Sequence, residues 1–293
     1  MVKDKTLGGR MFDLGNVVLL AVIGLITFLP FLHVVMASFT TEEEMARKPF
    51  VLIPTEFTIK AYQYILSTNA IYKALGVSIG VTLVGTLVSM ILTCLMAYGL
   101  TRRDMDGRRV LMFLVVFTML FNGGLIPTFL VVKELGLVDS YWALILPTAV
   151  NAFNLIIMRS FFMNLPEGIE ESAKIDGCND FGILLRIVIP LSLPAIATIS
   201  LFYAVNYWNT YFNAIMYLND ANKWPIQVLL RQIVIVASAF SADTSSFGDD
   251  FVKPPEQTIK MAVIMVSTIP ILIVYPFLQK YFAKGALVGS VKG

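Results

Sequence analysis

Apolar residues run through this chain in long blocks, separated by short clusters of charge. Six blocks contain no Asp, Glu, Lys or Arg: Leu14–Thr41 (whose one titratable group is His33), Ala74–Thr101, Val110–Val132, Ser140–Met158, Ile187–Asn219 and Met261–Gln279. Each is at least about 19 residues long, and a helix needs roughly 20 to cross a bilayer. Their hydrophobic positions do not alternate, as the strands of a membrane barrel would. Open strands would leave backbone groups unpaired in lipid. The pattern predicts an all-α integral membrane protein with six transmembrane helices.

The same pattern sets the expected organisation. Residues 1–40 form an N-terminal tail and the first membrane helix, and 41–70 an extracytoplasmic segment. Residues 71–285 form a five-helix core, with a charged loop at 164–190 and an outer loop at 220–260, and 286–293 a short tail. Composition agrees: 57% of the 293 residues are hydrophobic and 14% charged, against about 25% charged in soluble domains. Lys3, Lys5 and Arg10 precede the first block, as they would a secretion signal. That block far exceeds a signal's apolar core of about 7–15 residues, so it reads as an anchor. Cys94 and Cys178 suggest no disulfide framework. More than half of the 22 Lys and Arg residues fall in the N-tail, the 102–109 loop, the 159–186 segment and the C-tail. By the positive-inside rule these connections and both termini face the cytoplasm.

One of those connections, "NLPEGIEESAKIDGCNDFGILLRIVIPLSLP" from Asn164 to Pro194, gathers seven charges between two apolar blocks. Capping rules start a helix at Asn164, with Pro166 in its first turn and Glu167 three residues after the cap. Asp176-Gly177 ends it, because Gly adopts the left-handed conformation that closes a helix. Asn179 or Asp180 caps a second short helix, and Pro190 and Pro194 mark a bend into the fifth span. Ile169 and Ala173, one turn apart, form an apolar strip edged by Glu170 and Glu171. Such an element suits docking into a groove on another protein. A solvated loop is the plainer alternative.

The spacing favours docking. Glu171-Ser172-Ala173, three residues, Gly177, nine residues, then Ile187-Val188-Ile189-Pro190 resembles the EAA motif of ATP-binding-cassette importer permeases, with Ser172 and Ile189 departing from it. "GGLIPTFLVVKELGLVDSYWALILP" and "LQKYFAKGALVGSVKG" are similar to carbohydrate-uptake permeases, the maltose-permease-like family, in its oligosaccharide branch common in Gram-positive bacteria. The resemblance implies the type I importer permease fold with a cytoplasmic coupling helix, in a bacterial cell membrane. It implies a second, paralogous permease, a cytoplasmic ATPase dimer that binds ATP and Mg, an extracytoplasmic solute-binding protein and a sugar substrate. On this resemblance Ile169, Glu170, Glu171, Ser172, Ala173, Asp176 and Gly177 couple the chain to the ATPase.

The residues independently indicate where energy enters. No acidic or basic side chain lies centrally in any block, whereas ion-coupled transporters need such groups or broken half-helices. His33 reads as a packing residue. The chain lacks the Gly-x-x-x-x-Gly-Lys-[Ser/Thr] loop that would bind ATP. No cofactor is therefore expected in this chain, and it reads as no enzyme: with one His and no His-Glu-x-x-His pattern it is no zinc protease, and Asp249-Asp250 reads as a solvated pair. Neither a metal site nor nucleic-acid binding is expected.

A solute path is less legible. In "YAVNYWNTYFNAIMYLN" the residues Asn206, Asn209, Thr210, Asn213 and Tyr217 recur at helical spacing, predicting one polar stripe flanked by Tyr203, Tyr207, Trp208 and Tyr211. Asn151, Asn154 and Asn122 add amides from other spans. Amides beside flat aromatic faces suit a sugar's hydroxyl rim and apolar ring face. They equally suit interhelical hydrogen bonding or an interfacial aromatic belt. A non-sugar permease of the same class and an ion-coupled transporter are the remaining alternatives.

Overall fold

The computed structural model describes residues 6–48, 50–102, 104–242 and 257–290. The Asp249-Asp250 stretch of the outer loop and the chain's last three residues lie outside them. Among the described residues every regular element is helical. In chain order these are α1 (Leu7–Ala37), α2 (Glu42–Arg47), α3 (Lys60–Ser67), α4 (Asn69–Thr101), α5 (Arg108–Leu120), α6 (Leu125–Glu134), α7 (Trp142–Ile145) and α8 (Ala152–Met163). They continue as α9 (Glu167–Ile175), α10 (Asp180–Ile183), α11 (Ile189–Leu191), α12 (Leu193–Trp208), α13 (Phe212–Tyr217), α14 (Ile226–Ala242) and α15 (Gln257–Ser290). The outer segment read as a loop at 220–260 is thus helical over its first half.

Three helices are each long and apolar enough to span a bilayer: Gly8–Ala37, Asn69–Thr101 and Gln257–Pro276. The other three apolar blocks are bent pairs rather than single rods. The third bends by 118° between α5 and α6, the fourth by 55° at the entry to α8, and the fifth by 86° between α11 and α12. Local chemistry accounts for each. At Phe121–Gly124, Gly124 has φ 86° and Asn122 Oδ1 accepts its N–H at 2.9 Å. In the fourth block Pro147 lies in a 3₁₀ turn, Leu146–Thr148, where its missing N–H breaks the helical ladder. The fifth bends at Ser192, between Pro190 and Pro194, just after a π-helical turn at Leu184–Val188.

The chain divides into two compact units, residues 1–69 with 230–268 and residues 70–229 with 269–293. In the first, the most apolar window of α1 buries nothing against its own chain. A helix apolar all round belongs in lipid or against another subunit. The end of α1 is ordered by the segment that follows. Ser38 Oγ shares a hydrogen bond with Tyr62 at 2.7 Å, and Phe39 stacks on Phe57 and Tyr62. His33 stacks on Phe50 at 4.5 Å, with Nδ1 3.0 Å from the Val51 backbone, so it serves packing.

Two carboxylates tie this unit together. Glu42 accepts from Gln257 N at 2.9 Å and Thr258 N at 3.3 Å, capping α15. Glu44 accepts from Thr55 N at 3.0 Å, Glu56 N at 3.3 Å and Lys48 Nζ at 3.1 Å.

The second unit is organised along α4. One face of that helix carries the small residues Gly85, Ser89 and Thr93 at intervals of four. Tyr203 and Tyr207, also four apart on α12, pack onto it. The Tyr207 ring lies so close to Gly85 that a Cβ there would meet it at 2.9 Å. Tyr207 Oη meets Ser89 Oγ at 2.8 Å and donates to the Ile145 carbonyl at 3.2 Å. Tyr203 Oη meets Thr93 Oγ1 at 2.8 Å and accepts from the Asn151 amide at 3.0 Å. Both partners in the fourth block are backbone groups released by its break.

Gly85→Ala should lower stability by about 1–3 kcal/mol, the usual cost of overpacking. Ser89→Ala, losing one interhelical hydrogen bond, should cost about 0.6 kcal/mol. Unfolding of the detergent-purified variants measures both, and equal losses would refute the close-approach argument. In the segment after α1, hydrogen bonds from Thr55 first, then from Lys48 and the Glu56 amide, hold the Glu44 carboxyl down at about 2. A depressed carboxyl stabilises above its ordinary pKa and loses that contribution as pH falls through its folded value. Protease resistance of residues 41–58 should therefore decline between about pH 4.5 and about 2, and Glu44→Gln should abolish that pH dependence.

Candidate coupling helix and solute pathway

The charged segment folds into two short helices around a tight turn. Its first helix begins later than the capping rules predict: α9 has Pro166 at its N-cap, without a side-chain cap. Asn164 instead closes the preceding α8, and its Nδ2 donates to the Ser160 carbonyl at 2.9 Å. A short polar residue serves either helix end, and here the α8 end captured it. The far end of α9 matches the reading. Asp176 is the C-cap and Gly177 takes φ 80°. The amide of Gly177 donates to Lys174 O at 3.0 Å, and that of Cys178 to Ala173 O at 2.9 Å. This is the paired bonding of a Schellman motif. Asn179 then caps α10, accepting from Gly182 N at 2.7 Å.

The outward face differs from the expected strip. Ala173 is 8% exposed and belongs to the core of its own unit, so its side chain cannot enter a partner's groove. Ile169 is 38% exposed, but Ile175, at 86%, projects furthest. Two residues on a helix are separated by about 200°, so burying Ala173 turns Ile175 outward. Glu171, Ser172, Asp176 and Gly177 share the exposed side, with Ser172 Oγ bonded back to Gly168 O at 2.7 Å. Sequence reasoning missed Ile175 because it followed the four-residue spacing of Ile169 and Ala173. The signal was an isoleucine set directly before the Asp-Gly stop.

Glu170 faces inward to an ion cluster at the end of α4. Its Oε2 lies 2.5 Å from Arg102 Nη1, and Asp180 Oδ1 lies 3.3 Å from Arg102 Nη2 and 3.5 Å from Lys174 Nζ. The guanidinium stacks over the Tyr98 ring at 4.1 Å. A cleft of about 340 Å³ opens beside these groups, lined by Arg108, Phe162, Leu165 and Glu171 among others.

The predicted polar stripe is not continuous. Its helix, α12, ends at Trp208, with Asn209 as C-cap and Thr210 outside, before α13 begins at Phe212. Asn209 Nδ2 donates to Val205 O at 2.8 Å and Thr210 Oγ1 to Asn206 O at 3.3 Å, so both finish the helix. Asn206 and Asn209 are exposed, Thr210 and Asn213 half-buried, and Tyr217 buried. Tyr203 and Tyr207, at 1% exposure each, lie inside the fold and cannot stack on a solute here. Asn154 is likewise buried, while Asn151 is exposed with its Oδ1 accepting from Asn154 N at 3.1 Å. Among the described residues no group of His, Cys, Asp and Glu could hold a metal ion.

Residues 86–288 match the family of binding-protein-dependent transport system inner membrane components. The chain belongs to that family. Within it, this permease chain is 68% identical to the polygalacturonan/rhamnogalacturonan transport system permease protein YtcP of Bacillus subtilis, over 97% of this chain and 99% of the relative. It is 54% identical to protein LplC of the same organism, over 98% and 97%. A crystal structure of a bacterial ABC transporter involved in import of the acidic polysaccharide alginate contains a chain that is 34% identical. The two superpose with a TM-score of 0.85, covering 95% of this chain and 99% of that one. The all-α permease fold and the membrane location follow, as does the absence of enzymatic activity in this subunit.

Exposure separates the amides sharply enough to test. In a Cys178→Ser background, Asn206→Cys should react with maleimide roughly tenfold faster than the buried Asn154→Cys, since thiol reactivity needs access. Equal rates, followed by mass spectrometry of the intact complex, would refute the difference in exposure between the two positions.

Proposed function

We propose that this chain is one permease subunit of an ATP-driven importer for uronate-rich oligosaccharides. The observation that carries the reading is the 68% identity, over nearly the full length of both chains, to a polygalacturonan/rhamnogalacturonan permease. The likeness to an alginate importer supports it, because alginate too is an acidic polysaccharide. A paralogous second permease, an ATPase dimer holding ATP and Mg, and an extracytoplasmic binding protein complete the assembly in this reading. Each bent pair counts as one span, giving six. Both termini lie in the cytoplasm, and the five-helix core extends from 71 to 285 between the first anchor and the tail.

In this reading α9 is the coupling helix. Ile175 and Ile169 enter the ATPase cleft, with Glu171, Ser172, Asp176 and Gly177 at its rim. Glu170 and Ala173 bind α9 to its own chain instead. Closure of the ATPase dimer around ATP moves α9 and with it the rest of the unit. On the solute side, Asn206, Asn209 and Asn151 offer amide donors to hydroxyls and carboxylates. Neutral amides grip an anionic sugar less firmly than a lysine would, which favours passage over retention. Tyr203, Tyr207 and Asn154 hold the wall behind them.

Reconstituted with its partners, the complex should hydrolyse ATP several-fold faster with binding protein loaded with oligogalacturonide than with unloaded protein. A neutral maltooligosaccharide should leave the rate at baseline. Equal stimulation by both would overturn the uronate reading, and no response to any sugar would overturn the oligosaccharide one.

A further inference from the structure

We infer that Arg102 is the positioning residue that fixes the coupling helix to α4, and that α4 is the rod carrying its displacement into the membrane. The inference rests on reading α9 as the coupling helix. Arg102 directly follows the last residue of α4, and its guanidinium hydrogen-bonds one arm of the coupling turn and lies within ion-pair distance of the other. Nη1 lies 2.5 Å from Glu170 in α9, and Nη2 lies 3.3 Å from Asp180 at the start of α10. The Tyr98 ring, one turn back on α4, supports the guanidinium plane from below at 4.1 Å. Arg102 and Glu170 side chains are 18% and 25% exposed, so solvent and salt weaken this pair less than a surface one.

Two further arginines make the end of α4 rigid. Arg159 Nε donates to Leu100 O at 2.9 Å, and Arg108 Nη1 to Thr101 O at 3.4 Å and Arg102 O at 3.3 Å. These are carbonyls a helix C-terminus leaves without intrahelical partners. A frayed end would absorb a pull on α9, whereas a capped one passes it on. Further along, Gly85, Ser89 and Thr93 of the same helix carry Tyr207 and Tyr203, whose hydroxyls hold the break beside Asn151. Coupling helix, guanidinium, rod and broken span are therefore joined without a loop between them. A lysine in place of Arg102 could reach one carboxylate but could not fork between two.

The test uses the whole importer in proteoliposomes, with binding protein loaded with oligogalacturonide, and reads uptake per ATP hydrolysed. Arg102→Gln should keep the ATPase bound but lower that ratio about tenfold, within the usual range of coupling between sites. Arg102→Lys should fall between it and the parent protein. Glu170→Gln should also lower the ratio, and R102Q/E170Q should be no worse than R102Q, because the pair acts as a unit. A parental ratio in R102Q, or losses that multiply in the double variant, would overturn the inference. If R102Q does not assemble, R102Q/E170Q/D180N decides. Recovered assembly supports the link, since the fault is then chiefly the stranded Glu170 carboxylate, and continued failure overturns it. The coupling-helix reading fails by a separate readout: Ile175→Asp should release the ATPase, and normal retention of the ATPase in that variant would refute it.

Discussion

A helix break frees backbone N–H and C=O groups that need new partners, and the larger unit supplies them from side-chain hydroxyls at one such break. The fourth apolar block loses its helical ladder at the 3₁₀ turn that contains Pro147. The Ile145 carbonyl and the Asn151 amide are recovered by the hydroxyls of Tyr207 and Tyr203. An interhelical side-chain hydrogen bond in a membrane contributes only about 0.6 kcal/mol on average. An orphaned amide in an apolar medium costs several times that, roughly 2–7 kcal/mol. The tyrosines therefore matter less as adhesive than as cover for groups that would otherwise forbid the break. Their bulk must go somewhere, and Gly85 leaves room for the nearer ring. One bend thus dictates two tyrosines on α12 and a glycine, a serine and a threonine on α4.

Much of this was legible along the chain, in proportion to how local the cause was. Apolar blocks locate membrane segments because transfer from water depends on composition, which a sequence displays directly. The Asp176-Gly177 stop and the Asn179 cap were readable because both ends are decided within a few residues. The bends were harder. A run without charge looks the same straight or broken, so only Pro147 and Asn122-Gly123-Gly124 hinted that the third and fourth blocks were not rods. Which of the tyrosines' two readings holds was not legible, for a different reason. In sequence they adjoin Asn206 and Asn209 and resemble a sugar-stacking surface. Their burial depends on α4, more than 100 residues away in the chain. Helical spacing also misled beyond Trp208, where the helix whose period was being counted had already ended.

Charge follows the same division. Counting Lys and Arg gave an orientation but treated each residue as equivalent, whereas the structure gives them separate tasks. Arg108 and Arg159 close the carbonyl end of α4, while Arg102 reaches across to acidic partners. Elsewhere in the same unit Asp139 and Lys223 join two connections at 2.6 Å. The lysine lowers the aspartate's pKa, and the aspartate raises the lysine's. Asp139 also accepts the amides of Asn219 and Asp220 at 3.1 Å and has a positive φ of 62°. A non-glycine residue holds that conformation when its surroundings over-determine it, and three polar partners do so here. Both clusters lie between connections rather than within an apolar block.

This placement of rigidity fits a protein that performs no chemistry of its own. A transported sugar must bind weakly enough to leave, and a charged pocket would hinder release. The capped end of α4, the Schellman turn of α9 and the tyrosines at the Pro147 break each give partners to backbone groups where a helix ends. Exposed Ile175 stands apart from that framework, with little of its own chain against it. A large apolar side chain left in water forgoes the hydrophobic gain of burial, so folding of this chain alone leaves that gain unrealised at Ile175.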